Sequence, residues 1–291
     1  MKQIKNERLS VEVAEVGAEL YSIKGLKSGT QYLWQGDAAY WDRRSPTLFP
    51  QVGGLWEGTY RIDGQPHKME KHGFVRNMPF EDTTKAGGTL CLSCSDTEET
   101  RAVYPFAFRL DSTFRLCENR LIVEWEVHNP AQRSLPFHIG GHPGFFYPGF
   151  DAKEPLCGYL GFDHPAPESA AVGRGGCLGQ ERYLLPLEND LLPLTDACFH
   201  NDAIILDRGQ VHRVTLYDKT KKPVVSVETG APVILIWSPY GIQAPFVCIE
   251  PWYGLCDSED YKGSYSSRPY TNIAPEQGSW KGFYSITFEN E

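Results

Sequence analysis

From Arg109 to His128 the chain is written in twos. Leu110, Ser112, Phe114 and Leu116 alternate with Arg109, Asp111, Thr113 and Arg115, and Leu121, Val123, Trp125 and Val127 alternate with Ile122, Glu124, Glu126 and His128. A period of two sends neighbouring side chains to opposite faces of an extended backbone, so each stretch reads as a half-buried strand. Cys117-Glu-Asn-Arg120 between them reads as a hairpin turn. A second hairpin is expected from residues 211–217 and 223–228, joined through Asp218-Lys-Thr-Lys-Lys222. Val233-Ile-Leu-Ile-Trp237 is apolar throughout and short, the pattern of a strand covered on both faces.

Helical patterns are scarce. The best are short pieces near residues 188–192 and 258–261, both with prolines or glycines close by. The 28 Gly and 21 Pro are spread along the whole chain, which suits many turns between many strands. Residues 165–179 (PAPESAAVGRGGCLG) are the loosest stretch and are expected to form a surface loop. No fixed-period repeat and no shift in composition marks a domain boundary. The expected class is all-β, built from stacked antiparallel sheets.

Charge and cysteine use narrow the function. A formal net charge of −9 over 291 residues argues against nucleic acid or an anionic membrane surface as the main partner. No apolar run approaches the roughly 18 residues of a spanning helix, and the first ten residues are charged and lack an apolar signal core. A soluble, cytoplasmic protein is expected, with its eight cysteines reduced. Cys91 and Cys94 fall on opposite faces of a predicted strand, which is poor geometry for one metal. No glycine pattern for nucleotide phosphates and no Gly-x-Ser-x-Gly elbow is present.

One acid stands out. Phe246-Val-Cys-Ile-Glu-Pro-Trp-Tyr-Gly254 places Glu250 in an apolar, aromatic strand expected to end at Pro251. A carboxylate is costly to bury there unless it is paired or chemically used. Two histidine segments offer partners: Lys71-His72-Gly73-Phe74, and Gly140-Gly-His-Pro-Gly-Phe-Phe146, where glycine and proline aim His142 by unusual backbone. His138 and His142 have a metal-like spacing, but glycines and a proline argue against the helix that would make it one, so no metal is expected. One carboxylate and two imidazoles, each beside an aromatic, suit acid–base chemistry on a small polar ligand with an apolar face, such as a sugar. Glycoside hydrolysis wants two flanking carboxylates, and Glu250 has no obvious twin except Asp202.

These residues resemble the aldose 1-epimerase family of the galactose mutarotase-like superfamily, and its bacterial epimerase-like branch in particular. The likeness runs nearly end to end: Gly17-Ala-Glu-Leu20, Tyr32-Leu-Trp34, Trp41-Asp-Arg-Arg-Ser-Pro-Thr-Leu-Phe-Pro-Gln-Val-Gly53, His72-Gly-Phe-Val-Arg76, Gly140-Gly-His-Pro-Gly-Phe145, Asp202-Ala-Ile-Ile-Leu206 and Cys248-Ile-Glu-Pro-Trp-Tyr-Gly254. The resemblance implies one large antiparallel β-sandwich domain over residues 1–291. It implies exchange of α and β anomers of a hexose, with Glu250 as the base at the C1 hydroxyl and His142 as the acid at the ring oxygen. His72 then holds the ring oxygen and neighbouring hydroxyls, and Asp202 binds hydroxyls. Arg43 and Arg76 are candidates for hydroxyl or phosphate contacts, and Phe74, Phe146 and Trp252 for stacking on the sugar. No metal, nucleotide or redox cofactor is implied. A hexose-6-phosphate 1-epimerase and a non-catalytic carbohydrate-binding protein are the alternatives. In one departure, the family often carries a sugar-binding arginine where this chain has Gly54; the expectation is either that Arg43 or Arg44 assumes its role or that the substrate differs.

Overall fold

The computed structural model describes residues 1–85 and 87–291. Among the described residues, two large antiparallel sheets dominate, one of nine strands and one of eight. The hairpin read from the alternation lies in the nine-stranded sheet: Arg109–Cys117 pairs with Arg120–His128 from Cys117 opposite Arg120 to Arg109 opposite His128. The second hairpin is Arg213–Tyr217 with Pro223–Thr229, and Ser279–Phe288 joins the two hairpins into one sheet.

The eight-stranded sheet carries Val233–Trp237 next to Phe246–Tyr253, with Ala203–Leu206 on the far side of the former. Ile204, Leu206, Ile234, Ile236, Val247 and Ile249 share one buried cluster with Leu110, Phe114, Leu121, Val123 and Trp125 of the other sheet. The inner faces of both sheets therefore close on one core, the arrangement of a sandwich. The intervening residues of the same strands, Ala203, Ile205, Leu235 and Trp252, join a second buried cluster with Leu48, Val52 and Cys256. Val233–Trp237 is thus covered on both faces, as its unbroken apolar run required. The polypeptide that covers this outer face comes from both halves of the chain, Leu48 and Val52 from one and Leu255 and Cys256 from the other.

Three local expectations are corrected. Residues 188–192 and 258–261 are turns and short extended pieces, because Asn189, Asp190 and Asp260 take left-handed backbone that ends any helix. The α-helix among the described residues is Glu98–Val103, which starts from a Thr97–Thr100 capping box. Residues 165–179 are more than a loop: Glu168–Val172 is a strand, paired on one side with Leu178–Leu184 and on the other with Ala203–Leu206. The glycines that made this stretch look loose form the turn at Gly175 and Gly176, both with positive φ. Finally, the Phe246–Tyr253 strand continues through Pro251. A proline withholds a ladder donor, and it is tolerated here because the neighbouring ladder is interrupted at the same level: it stops at Gly140 opposite Trp252 and resumes at Gly144 opposite Cys248. No described helix is long and apolar enough to cross a membrane.

Candidate active site

That interruption builds the site. Gly140 faces Trp252 and Gly144 faces Cys248, so the same register carried through the gap sets His142 opposite Glu250. Cross-strand partners on one face are close neighbours, and His142 Nε2 lies 3.1 Å from Glu250 Oε1. The glycines are needed: a β-carbon at Gly140 would stand 2.8 Å from the Trp252 ring. Trp252 in turn donates its indole N–H to Glu250 Oε2 at 3.1 Å. Oε1 accepts no hydrogen bond, the approach of His142 being out of line for one, and His142 Nδ1 is likewise buried without a partner.

His72 reaches the same cavity from a turn that only unusual backbone can make. His72 has φ +70°, and Gly73 follows at φ +69° with no room for a β-carbon against the Phe49 carbonyl. The backbone grips His72 on both sides. Its N–H donates to Gly53 O at 3.1 Å, and Gly53 N–H donates to His72 Nδ1 at 3.2 Å. A neutral imidazole that accepts at Nδ1 carries its proton on Nε2, so His72 is a hydrogen-bond donor at that nitrogen. The His72 and His142 rings are 5.5 Å apart, edge to face.

These groups line a cavity of about 260 Å³ on the outer face of the eight-stranded sheet. Arg43, Arg76, Asp202 and Trp252 line it too. Phe74 and Phe146 do not: Phe74 packs toward Tyr104 and Phe108 in the core, and Phe146 lies edge-on to Trp34. The aromatic walls are instead Trp41, whose ring centroid is 4.7 Å from that of His142, and Trp237, which donates to Asp202 Oδ1 at 3.2 Å. Lys71 is a further lining residue that the sequence reading passed over. The one available signal was its place next to His72. His138 turns to Arg268 and Thr271, away from any common centre with His142.

The two adjacent arginines part company. Arg43 bonds to Arg76 O at 3.2 Å and to Asn77 Oδ1 at 2.6 Å, at the cavity wall. Arg44 lies flat on the Tyr21 ring, 3.4 Å from its centroid, and bonds to Gln35. Gly54 has a structural reason of its own. A β-carbon there would come within 2.9 Å of the Gly175 carbonyl, so the Gly173–Cys177 turn seals the place where a longer side chain would start.

Burial sets the proton affinities. Glu250 is wholly buried, and loss of hydration pushes its pKa well above the ordinary carboxylate range, against the opposing pull of Lys71 and the Trp252 N–H. The same desolvation drives His142 down to about 3 and holds His72 well below 6.5, with the charges of Lys71 and Arg76 acting in the same sense on both. Without a ligand the neutral arrangement is therefore favoured: a carboxylic acid facing a neutral imidazole, with one proton between them.

Known proteins are similar to this chain in sequence and in shape. A family model described as aldose 1-epimerase matches residues 2–281. The chromosomal protein LacX of Lactococcus lactis subsp. lactis is 31% identical over 302 aligned positions, covering 99% of this chain and 99% of LacX. Among solved structures, a galactose mutarotase related enzyme from Lactobacillus acidophilus matches with a TM-score of 0.92 at 31% identity, covering 99% of this chain and 97% of the other. A galactose mutarotase-like protein from Lactobacillus casei gives 0.92 at 26% identity, covering 99% and 100%. With the family model spanning nearly the whole chain and both sheets superposing on these relatives, this chain belongs to the aldose 1-epimerase family.

Proposed function

We propose that the protein is an aldose 1-epimerase that interconverts the α and β anomers of a hexose. The observation that carries this reading is the pairing of His142 and Glu250, 3.1 Å apart on the floor of a cavity walled by Trp41 and Trp237. Their single shared proton is what ring opening needs. With it on His142, Glu250 is a base and His142 an acid. Glu250 takes the proton of the C1 hydroxyl, His142 delivers its proton to the ring oxygen, and the bond from C1 to that oxygen breaks to leave an open-chain aldehyde. Rotation about C1–C2 and the reverse transfers close the ring with C1 inverted. Each positioned transfer is worth roughly 10²–10⁴-fold.

The remaining residues have supporting roles in this scheme. His72 offers its Nε2–H to the ring oxygen or a neighbouring hydroxyl, Asp202 accepts from hydroxyls, and the two tryptophans cover the C–H face of the sugar. Trp252 is nearly inaccessible, so its part is to hold Glu250 through Oε2. The direct test is exchange NMR or polarimetry on a panel of aldoses, wild type against Glu250→Gln. Exchange at the uncatalysed rate, with sugar binding retained in the wild type, would indicate a carbohydrate-binding protein instead.

A second reading concerns substrate charge. A neutral hexose such as glucose or galactose is the simplest substrate for an acidic chain, yet Arg43, Lys71 and Arg76 all line the cavity. Arg76 Nε is buried without a partner. Two guanidiniums and an ammonium suit a phosphate by charge-assisted hydrogen bonds. This favours a 6-phosphorylated hexose as the rival substrate.

A further inference from the structure

We propose that the floor of the cavity is also a binding site for a soft divalent cation, Zn²⁺ or Cd²⁺, held by His142, Cys248 and Glu250. Each of the three offers a ligand atom, these atoms all lie within 4.8 Å of one another, and all three residues are buried. The sheet dictates the grouping. Cys248 and Glu250 are two residues apart on one face of the Phe246–Tyr253 strand, and His142 stands opposite Glu250. Across the ladder from Cys248 is Gly144, whose missing β-carbon would sit 3.4 Å from the sulfur; Trp34 and Phe246 close the same space, so the thiol lies beneath the cavity floor and not in its lining.

A second observation points to an occupant. Glu250 Oε1, on the wholly buried carboxylate, is one of seven buried side-chain polar atoms without a hydrogen-bond partner among the described residues, and it faces His142 Nε2 at 3.1 Å. Tetrahedral zinc, with bonds of about 2.0–2.3 Å, sets its ligands roughly 3.3–3.7 Å apart, so side-chain rotations of about an ångström close the present spacing. Three protein ligands leave a fourth position open to the cavity for water. One thiolate and one carboxylate balance the cation's charge, and their protons leave to solvent as it binds. The thiolate selects Zn²⁺ or Cd²⁺ over Mg²⁺ and Ca²⁺. The cations Arg43, Lys71 and Arg76 around the cavity oppose entry and weaken the site below what its ligands alone would give. The consequence for turnover rests on the proposed function: metal on His142 and Glu250 occupies the lone pairs that move protons, so it inhibits.

Binding and inhibition are tested separately on the full chain after chelator treatment. Calorimetry with ZnCl₂ is expected to show one Zn²⁺ per chain and no binding of MgCl₂. CoCl₂ is expected to give a thiolate-to-metal charge-transfer band. Cys248→Ser should abolish that band and weaken Zn²⁺ by at least about tenfold, as should His142→Asn, with circular dichroism verifying the fold of each. Zn²⁺ binding unchanged in both variants would place the metal elsewhere, for instance at the surface group His128, Asp111 and Glu126, and would overturn the site. So would a Co²⁺ complex without the thiolate band. Stoichiometric Zn²⁺ that depends on Cys248 but leaves anomer exchange untouched would uphold the site and count against His142 and Glu250 as the proton-transfer pair.

Discussion

Glu250 and Arg268 are both buried ionisable residues, and they are provided for in opposite ways. Arg268 uses its whole fork: Nε donates to Asp257 at 2.5 Å, Nη2 to Leu255 O at 3.0 Å, and Nη1 to Gln51 and to His138 Nδ1 at 3.3 Å. Asp257 continues the network by accepting from Trp56 N at 2.9 Å. Glu250 has one hydrogen bond, from Trp252, and a bare oxygen facing a bare imidazole. Both clusters support the same strip of chain. Arg268 clamps Gln51, and two residues on Gly53 grips His72. A saturated buried network specifies a conformation, whereas an unsaturated one beside a cavity is where a ligand can still be accommodated.

The comparison breaks most severely if the saturated cluster is opened. Arg268→Met leaves Asp257 buried without its partner, and a loss of about 3–5 kcal/mol in unfolding free energy is expected, measured by urea denaturation. A variant as stable as wild type would show that the network is ornamental.

The unsaturated cluster should respond the other way, in rate and not in stability. Glu250→Gln keeps the shape and is expected to cut kcat by at least about a hundredfold with little change in the denaturation midpoint. His142→Asn should also lower kcat strongly, while His138→Ser, on the saturated side, should change it little. If His138→Ser proves the more damaging to kcat, the two histidines have been assigned to the wrong clusters.

Substrate charge sharpens the picture at the cavity wall. The rival substrates predict different kcat/KM values for glucose and glucose 6-phosphate. A preference for the phosphate above about tenfold, some 1.4 kcal/mol, that collapses in Arg43→Ala decides for the phosphorylated sugar. Arg44→Ala serves as the neighbour control, since Arg44 is stacked on Tyr21 and not in the cavity.

The smallest effect is a slope. Burial, and then the charge of Arg268, hold His138 neutral, with a pKa well below 6.5 in the fold. Above an unfolded pKa of about 6.5 neither state binds the proton, and that stability is fully present. As pH falls below 6.5 only the unfolded chain takes it up, so stability declines by as much as about 1.4 kcal/mol per pH unit until the folded pKa is reached. His138→Asn should remove one proton's worth of this slope from the denaturation midpoint measured between pH 6.5 and 5. The buried imidazoles of His72 and His142, and the opposite contribution of Glu250, are common to both proteins and cancel. An unchanged slope would mean that His138 is protonated in the fold.

The sandwich was legible before any coordinates, because alternation is a local property. Apart from Ser112 and Ile122, the residues from Arg109 to Arg115 and from Leu121 to His128 declare their face by their own polarity, and the two-residue turn between them leaves one register. Glu250 was legible for a related reason: a single acid in an apolar strand is an exception that local sequence displays by itself. What sequence could not decide was which distant side chains arrive at that acid. Phe74 and Phe146 sit beside the two histidines in sequence but pack elsewhere, while Trp41 and Trp237, far from both in sequence, form the walls. Arg43 and Arg44 are neighbours with opposite destinations. Residues 165–179 looked loose because their glycines are conspicuous, yet their central part is held in the sheet by partners on two other strands. Sequence determined the faces of the strands and the cost of burying Glu250. The tertiary structure alone decided that His142 stands opposite it, because that pairing is set by ladder contacts at Gly140 and Gly144 with a strand more than a hundred residues further along the chain.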